Sequence, residues 1–192
     1  MATYTPQFEE ALNHAMLYEV GGFWKLTPDV MLGLCTTREQ KKATGYVNDP
    51  ADSGGETKFG VAKNANPTLN IKSMTWEDAK AVYYRKYWLA SSCDKLPPQV
   101  AKIVFDGSIN HGVDKSLKFM QRAIGVLEDG NIGPLTLAKI NGLDQIAVCN
   151  KISDIREKFY KDIVAAKPTQ AKFLNGWLRR IDEVRKFTTS QK

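Results

Sequence analysis

The run Tyr46-Val47-Asn48-Asp49-Pro50-Ala51-Asp52-Ser53-Gly54-Gly55-Glu56-Thr57-Lys58-Phe59-Gly60 decides how this chain is read. It gathers acids, glycines and a threonine into a segment that is neither a good helix nor a hydrophobic strand. Pro50 and the Gly54-Gly55 pair break regular structure, and each glycine admits backbone angles that side chains forbid. What remains is a shaped loop presenting Asp49, Asp52 and Thr57. The rest of the chain repeats its apolar residues mostly at helical spacing, so the loop is a special segment in a mainly α protein.

Upstream, Phe8, Ala11, Leu12, Ala15 and Met16 step by three and four and predict a first helix that delivers Glu19 at its end, just before Gly21-Gly22. Residues 20 to 60, with short apolar pieces such as Gly22-Phe23-Trp24, read as loop with a small β-hairpin. Downstream, Thr75 with Asp78 marks a helix start, and the helix runs through Trp76, Ala79, Val82, Tyr83 and Tyr87-Trp88. Asp94-Lys95-Leu96-Pro97-Pro98 is the clearest break. It divides the chain into regions 8–95 and 97–185, expected to pack together as one globule. Beyond it, Val100 to Ile109 reads as a buried helix and Leu117 to Ile124 as another, ended by Gly125. Asp129-Gly130 makes a turn, and Pro134 opens a short helix. Val148, Ile152, Ile155, Phe159, Ile163 and Ala166 define a long amphipathic helix stopped by Pro168. Phe173, Leu174, Trp177, Leu178, Ile181 and Val184 define the last one, with Arg179, Arg180, Arg185 and Lys186 on its outer face.

Composition narrows the function classes. At 192 residues, 43% hydrophobic and 25% charged, the chain has the make-up of a globular protein with a sizeable core. No apolar run nears the ~20 residues of a membrane span, so stable membrane insertion is not expected. Three scattered cysteines, Cys35, Cys93 and Cys149, form neither a disulfide framework nor a metal pattern, and His14 and His111 are too few for an ordinary zinc site. No metal or cofactor is expected. The net charge of +6 favours anionic partners. No nucleic-acid module is recognisable and the lysines are dispersed, which argues against nucleic acid. The basic last helix suggests weak association with an anionic envelope.

Breaking a glycosidic bond requires a proton donor for the leaving oxygen, and a second carboxylate or a positioned water for the oxocarbenium-like centre. Glu19 suits the first role, where an apolar helix face meets a glycine pair that lets a sugar approach. At a helix C-terminus it is badly placed for the helix dipole, which argues for a role beyond the helix, the alternative being an exposed glutamate at a helix end. Asp52 and Asp49 are candidates for the second role, although Asn-Asp-Pro and Ala-Asp-Ser are also common turns whose carboxylates cap backbone amides. Thr57 is suited to holding the attacking water. Tyr83 and Tyr87 are candidates to stack on sugar rings, and Asn110 and His111 to line the cleft.

These residues resemble glycoside hydrolase family 108. Glu19 with Gly21-Gly22, then Tyr46-Val47-Asn48-Asp49-Pro50, Asp52, Gly54-Gly55, Thr57 and Gly60, look like that family's signature. Tyr83 to Trp88 match its Tyr-x-x-x-Tyr-Trp helix. The second half resembles the companion peptidoglycan-binding region, through Phe105-Asp106, Asn110-His111-Gly112, Gln121-Arg122-Ala123, Gly125-Val126, Asp129-Gly130 and Ile132-Gly133-Pro134 with Thr136-Leu137. The chain departs from the pattern where Val20 follows Glu19 and where Phe23 to Thr44 separate the two halves of the signature. That insert holds a rival acid, Glu39, in a polar stretch.

The resemblance implies a lysozyme-like helical fold with a loop and β-hairpin region beside the cleft. It also implies a phage-endolysin type of N-acetylmuramidase that cuts the β-1,4 bond between N-acetylmuramic acid and N-acetylglucosamine. Glu19 would be the general acid, Asp52 the second acid with Asp49 in reserve, and Thr57 a water-placing residue. Rival activities are a lytic transglycosylase, a chitinase-type enzyme and a non-catalytic wall-binding protein. The N-terminus lacks the basic start and apolar core of a signal peptide. The expectation is synthesis in the bacterial cytoplasm and action on the wall after release through a separate pore.

Overall fold

The computed structural model describes residues 4–21, 24–49 and 54–190. The chain divides into two compact units, Met1–Lys86 and Tyr87–Lys192. The division falls earlier than the Asp94–Pro98 break. It lies inside a continuous helical run in which α4 (Trp76–Tyr83) passes into a π-helical stretch, Tyr84–Leu89.

The first unit begins with α1 (Pro6–Glu19). The Thr5 hydroxyl accepts from the Phe8 amide and Pro6 sits in the first turn, where its missing N–H costs nothing. Phe8, Ala11, Leu12, Ala15 and Met16 form its buried stripe, as their spacing predicts. Residues 24 to 49 hold more regular structure than a loop reading allows. Thr27 caps α2 (Pro28–Met31), and Thr37 forms a reciprocal capping box with Gln40 at the start of α3 (Arg38–Thr44). Gly45, at φ 62°, closes α3 in the left-handed conformation.

The expected hairpin is present at 57–62. Strands β1 (Thr57–Lys58) and β2 (Val61–Ala62) pair Thr57 with Ala62 and Lys58 with Val61. The two residues between them, Phe59 and Gly60, both have positive φ, 52° and 72°. That is the turn whose twist matches a two-residue hairpin. Val47 exchanges both backbone hydrogen bonds with Thr57, so the start of the signature loop lies along the hairpin. Phe59 is fully buried and meets Trp24 and Trp76 in an aromatic cluster. Lys58 is also fully buried. Its Nζ donates to the Lys72 carbonyl at 2.7 Å, and burial pushes its pKa down.

The second unit is built around α5 (Pro98–His111), which is buried at every position from Val100 to Ser108, as a central helix must be. Helices α6 (Val113–Ile124) and α8 (Gln145–Ala166) pack on it, and α9 (Ala171–Thr189) packs along both α5 and α8. The short α7 (Pro134–Asn141) opens on Pro134 as expected and lies against α6. The core of this unit contains an ion triad. Asp106, 3% exposed, receives the Arg156 guanidinium at 2.7 Å on one oxygen and the Arg180 guanidinium at 2.9 Å on the other.

This changes the reading of the last helix. Arg180 points inward to Asp106. Arg185 bonds Asp154 and Glu157, and Lys186 bonds Asp182 and Glu183. Of the four cations expected on an outward basic face, Arg180 is thus turned inward and Arg185 is half-buried, while Arg179 and Lys186 are exposed.

Burial alone would raise the Asp106 carboxyl, but Arg180 and Arg156 outweigh it and hold the pKa at about 2, below the ordinary 3.8. A carboxylate depressed in the folded state adds stability that is full above its unfolded pKa and lost as pH falls through the folded one. Thermal denaturation should therefore show an acid-side loss between about pH 4 and 2 that Asp106→Asn lacks. At neutral pH, Asp106→Asn should cost roughly 3–5 kcal/mol, because it leaves two buried guanidiniums without their counter-charge.

Candidate active site

The end of α1 and the hairpin turn are more than thirty residues apart in sequence but touch in the first unit. A Cβ built on Gly60 would lie 3.0 Å from Glu19 Cβ, 3.2 Å from Glu19 Oε2 and 2.5 Å from the Tyr83 hydroxyl oxygen. Only a residue without a side chain fits there, and its φ of 72° carries the same requirement. The Tyr83 hydroxyl donates to the Phe59 carbonyl at 2.8 Å, fixing the turn from below. The Glu19 carboxylate, half-buried, thus lies against a turn held by its backbone.

Thr57 lies three residues before Gly60 on the same hairpin. Its hydroxyl donates to the Gly55 carbonyl at 3.2 Å, which leaves its oxygen lone pairs for a further donor such as water. Asp49 is exposed in the loop that leaves the Val47–Thr57 bridge. Asp52 lies outside the described residues. The rival acid Glu39 is exposed in the first turn of α3, where a carboxylate is stabilised by the helix dipole and has a structural reason to be.

The expected sugar-stacking and cleft-lining residues are placed differently. Tyr83 is 2% exposed, so its ring offers no face to a sugar, and it acts by holding the turn. Tyr87 is half-buried and belongs to the second unit. Asn110 is turned inward, its Oδ1 accepting from the Tyr160 hydroxyl. The ring nitrogens of His111 are buried and make no hydrogen bond among the described residues. Burial first, then the charge of Arg156, pushes its pKa down to about 3, so the imidazole is neutral at ordinary pH.

Sequence reasoning missed the neighbour of this site. A cleft of about 470 Å³ begins at Val20, the residue after Glu19, and continues along Arg38, Lys41, Lys42, Gly45, Tyr46 and Val47. The Tyr46 hydroxyl donates to Glu56 Oε1 at 2.7 Å, and that bond, followed by desolvation, pushes its pKa up to about 12. The capping signal in Thr37-Arg38-Glu39-Gln40 would have revealed the helix that builds this wall.

Residues 39–112 match the glycosyl hydrolase 108 family, and residues 115–182 match the predicted peptidoglycan domain. The first of these matches covers less than half of the chain, and it is residues 39–112 that are similar to glycosyl hydrolase family 108. Among solved structures, SagA of Brucella abortus is similar with a TM-score of 0.70 and 25% identity, over 96% of this chain and 97% of that one. No curated protein matches significantly. The fold is mainly α and lysozyme-like, and the chain is a glycoside hydrolase that acts on peptidoglycan. The family match starts at Glu39, so Glu19 lies outside it, and what brings Glu19 to the site is its contact with Gly60.

Gly60→Ala tests that contact. The new Cβ meets Tyr83 and Glu19 and is held at a φ that costs L-residues about 1–2 kcal/mol, so lytic activity should fall at least tenfold and the thermal midpoint should drop. Gly125→Ala is the control. Gly125 has nearly the same φ, 71°, but nothing within 4 Å of an added Cβ, so this variant should lose only the backbone term and keep its activity.

Proposed function

We propose that this protein is an endolysin-type N-acetylmuramidase in which Glu19 is the general acid. The observation that carries the proposal is the Glu19 carboxylate seated against the backbone of Gly60, on a turn anchored by Tyr83. An acid fixed by helix α1 on one side and by a glycine turn on the other can be presented to a glycosidic oxygen with little loss of rotamer freedom. Glu19 protonates the oxygen leaving from the β-1,4 bond between N-acetylmuramic acid and N-acetylglucosamine. Water adds to the sugar carbon left behind, and the products are a new reducing end and a free hydroxyl.

Thr57, with its hydroxyl proton committed to Gly55, accepts a hydrogen bond from that water and orients it, and the proton the water loses passes to the carboxylate of the second acid. The second acid is Asp52, with Asp49 the alternative from the same loop. The peptidoglycan domain match supports retention on the wall by the second unit. The physiological setting we infer is accumulation inside a bacterium and lysis after a separate pore opens.

Glu19→Gln removes the proton and keeps the shape. General acid catalysis contributes typically ~10²–10⁴-fold, so lysis of purified walls should fall by that order while the thermal midpoint stays within a degree or two. Glu39→Gln should lyse at the wild-type rate. An active Glu19→Gln protein beside an inactive Glu39→Gln protein would reverse the assignment.

A further inference from the structure

The cleft beside Glu19 carries a charge pattern that α3 does not need for its own stability. Arg38, Lys41 and Lys42 stand at i, i+3 and i+4, which puts them on one face of a seven-residue helix. Like charges at that spacing repel by a few tenths of a kcal/mol per pair. Lys41 and Lys42, in the last turn, gain something from the helix dipole. Arg38, in the first turn, is on the wrong side of it. All three are exposed and all three line the cleft.

Among the described residues neither Arg38 nor Lys41 forms an ion pair. The nearby Glu56 carboxylate is turned to the Tyr46 hydroxyl. Val20 and Val47 supply the apolar part of the lining, with Val47 46% exposed. At about 470 Å³ the cleft falls within the range of small-ligand sites, ~300–1,000 Å³. It begins one residue from the acid that meets the glycosidic oxygen.

We propose that this cleft is a subsite for the carboxylate-bearing stem peptide on the muramyl sugar next to the scissile bond, and that Arg38, Lys41 and Lys42 are its anion-recognising residues. The inference rests on the hydrolase reading above. Stem peptides combine small apolar side chains with free carboxylates, which matches a lining of two valines and three cations. The lactyl carboxylate exposed when the peptide is missing has the same charge but no side chains to cover Val20 and Val47. The stem peptide is therefore the occupant assigned.

The test uses the full-length protein and three forms of soluble glycan strand. One form has native stem peptides, one has stem peptides with their carboxylates converted to amides, and one is stripped by an amidase so that the lactyl carboxylate is the acid left. Wild-type kcat/KM on native strands should exceed that on amidated strands about three- to tenfold, as a few exposed charge contacts allow. Stripped strands should behave like amidated ones.

In the triple variant Arg38→Gln, Lys41→Gln, Lys42→Gln the native-to-amidated ratio should fall to about one. Gln has nearly the helix propensity of Lys and Arg, so α3 should persist, and circular dichroism checks it. A control removing the same charge from exposed positions of the second unit, Lys139→Gln, Lys151→Gln, Lys167→Gln, should keep the wild-type ratio. A wild-type ratio of one, or a cleft variant that keeps the wild-type ratio, overturns the subsite while leaving the hydrolase reading intact. Stripped strands cut as fast as native ones overturn the stem-peptide assignment in favour of the lactyl group. Failure to cut any of the three forms overturns the hydrolase reading and the subsite with it.

Discussion

The absence of a side chain at Gly60 is the constraint on which the site depends. Any Cβ there would run into the Tyr83 hydroxyl and the Glu19 side chain at once. Because it is missing, α1 and the hairpin approach until the Glu19 carboxylate lies on the turn. The same hydroxyl that forbids a side chain holds the Phe59 carbonyl, so one tyrosine sets both the height of the turn and its closeness to the acid. Phe59 itself, at a positive φ that a bulky residue rarely adopts, is kept there by full burial against Trp24 and Trp76. Strain at this turn is held by packing beneath it, and the packing is what gives the acid a fixed position.

The second unit is organised on a different principle. Its central helix is buried nearly end to end, and a charged triad at Asp106, Arg156 and Arg180 ties α5, α8 and α9 together. Such a cluster is poor value as stability alone, since apolar residues of similar volume would do as well or better. It does penalise any packing of these helices that leaves one of the three charges without the others. Of the cations of α9, Arg180 belongs to this triad, Arg185 pairs with acids of α8, and Lys186 pairs with acids of its own helix.

Much of this was legible in the sequence because the deciding signals are local. The stripe Phe8, Ala11, Leu12, Ala15 and Met16 fixed α1 and its terminal Glu19, Thr75 with Asp78 fixed the start of α4, and Pro134 and Pro168 marked ends that the structure keeps. The helices α2 and α3 were missed although both begin with a threonine cap, because too few apolar residues give so short a helix a period. Tyr83 was misjudged for another reason. An aromatic at helical spacing can face a sugar or a backbone carbonyl, and only the fold brings Phe59 beneath it. Buried Lys58, the inward turn of Arg180 and the cationic cleft were likewise out of reach, since each depends on residues distant in sequence. In the run from Tyr46 to Gly60, it is the glycine at position 60 that the described geometry ties to Glu19.

The most direct test of the account is the chemical identity of the fragments released from purified peptidoglycan, read by mass spectrometry before and after borohydride reduction. Hydrolysis by a Glu19-dependent muramidase predicts fragments ending in N-acetylmuramic acid that borohydride reduces, produced by the wild-type protein and not by Glu19→Gln. Fragments ending in an anhydro-muramic ring, which borohydride leaves unchanged, or in reducible N-acetylglucosamine, would contradict it.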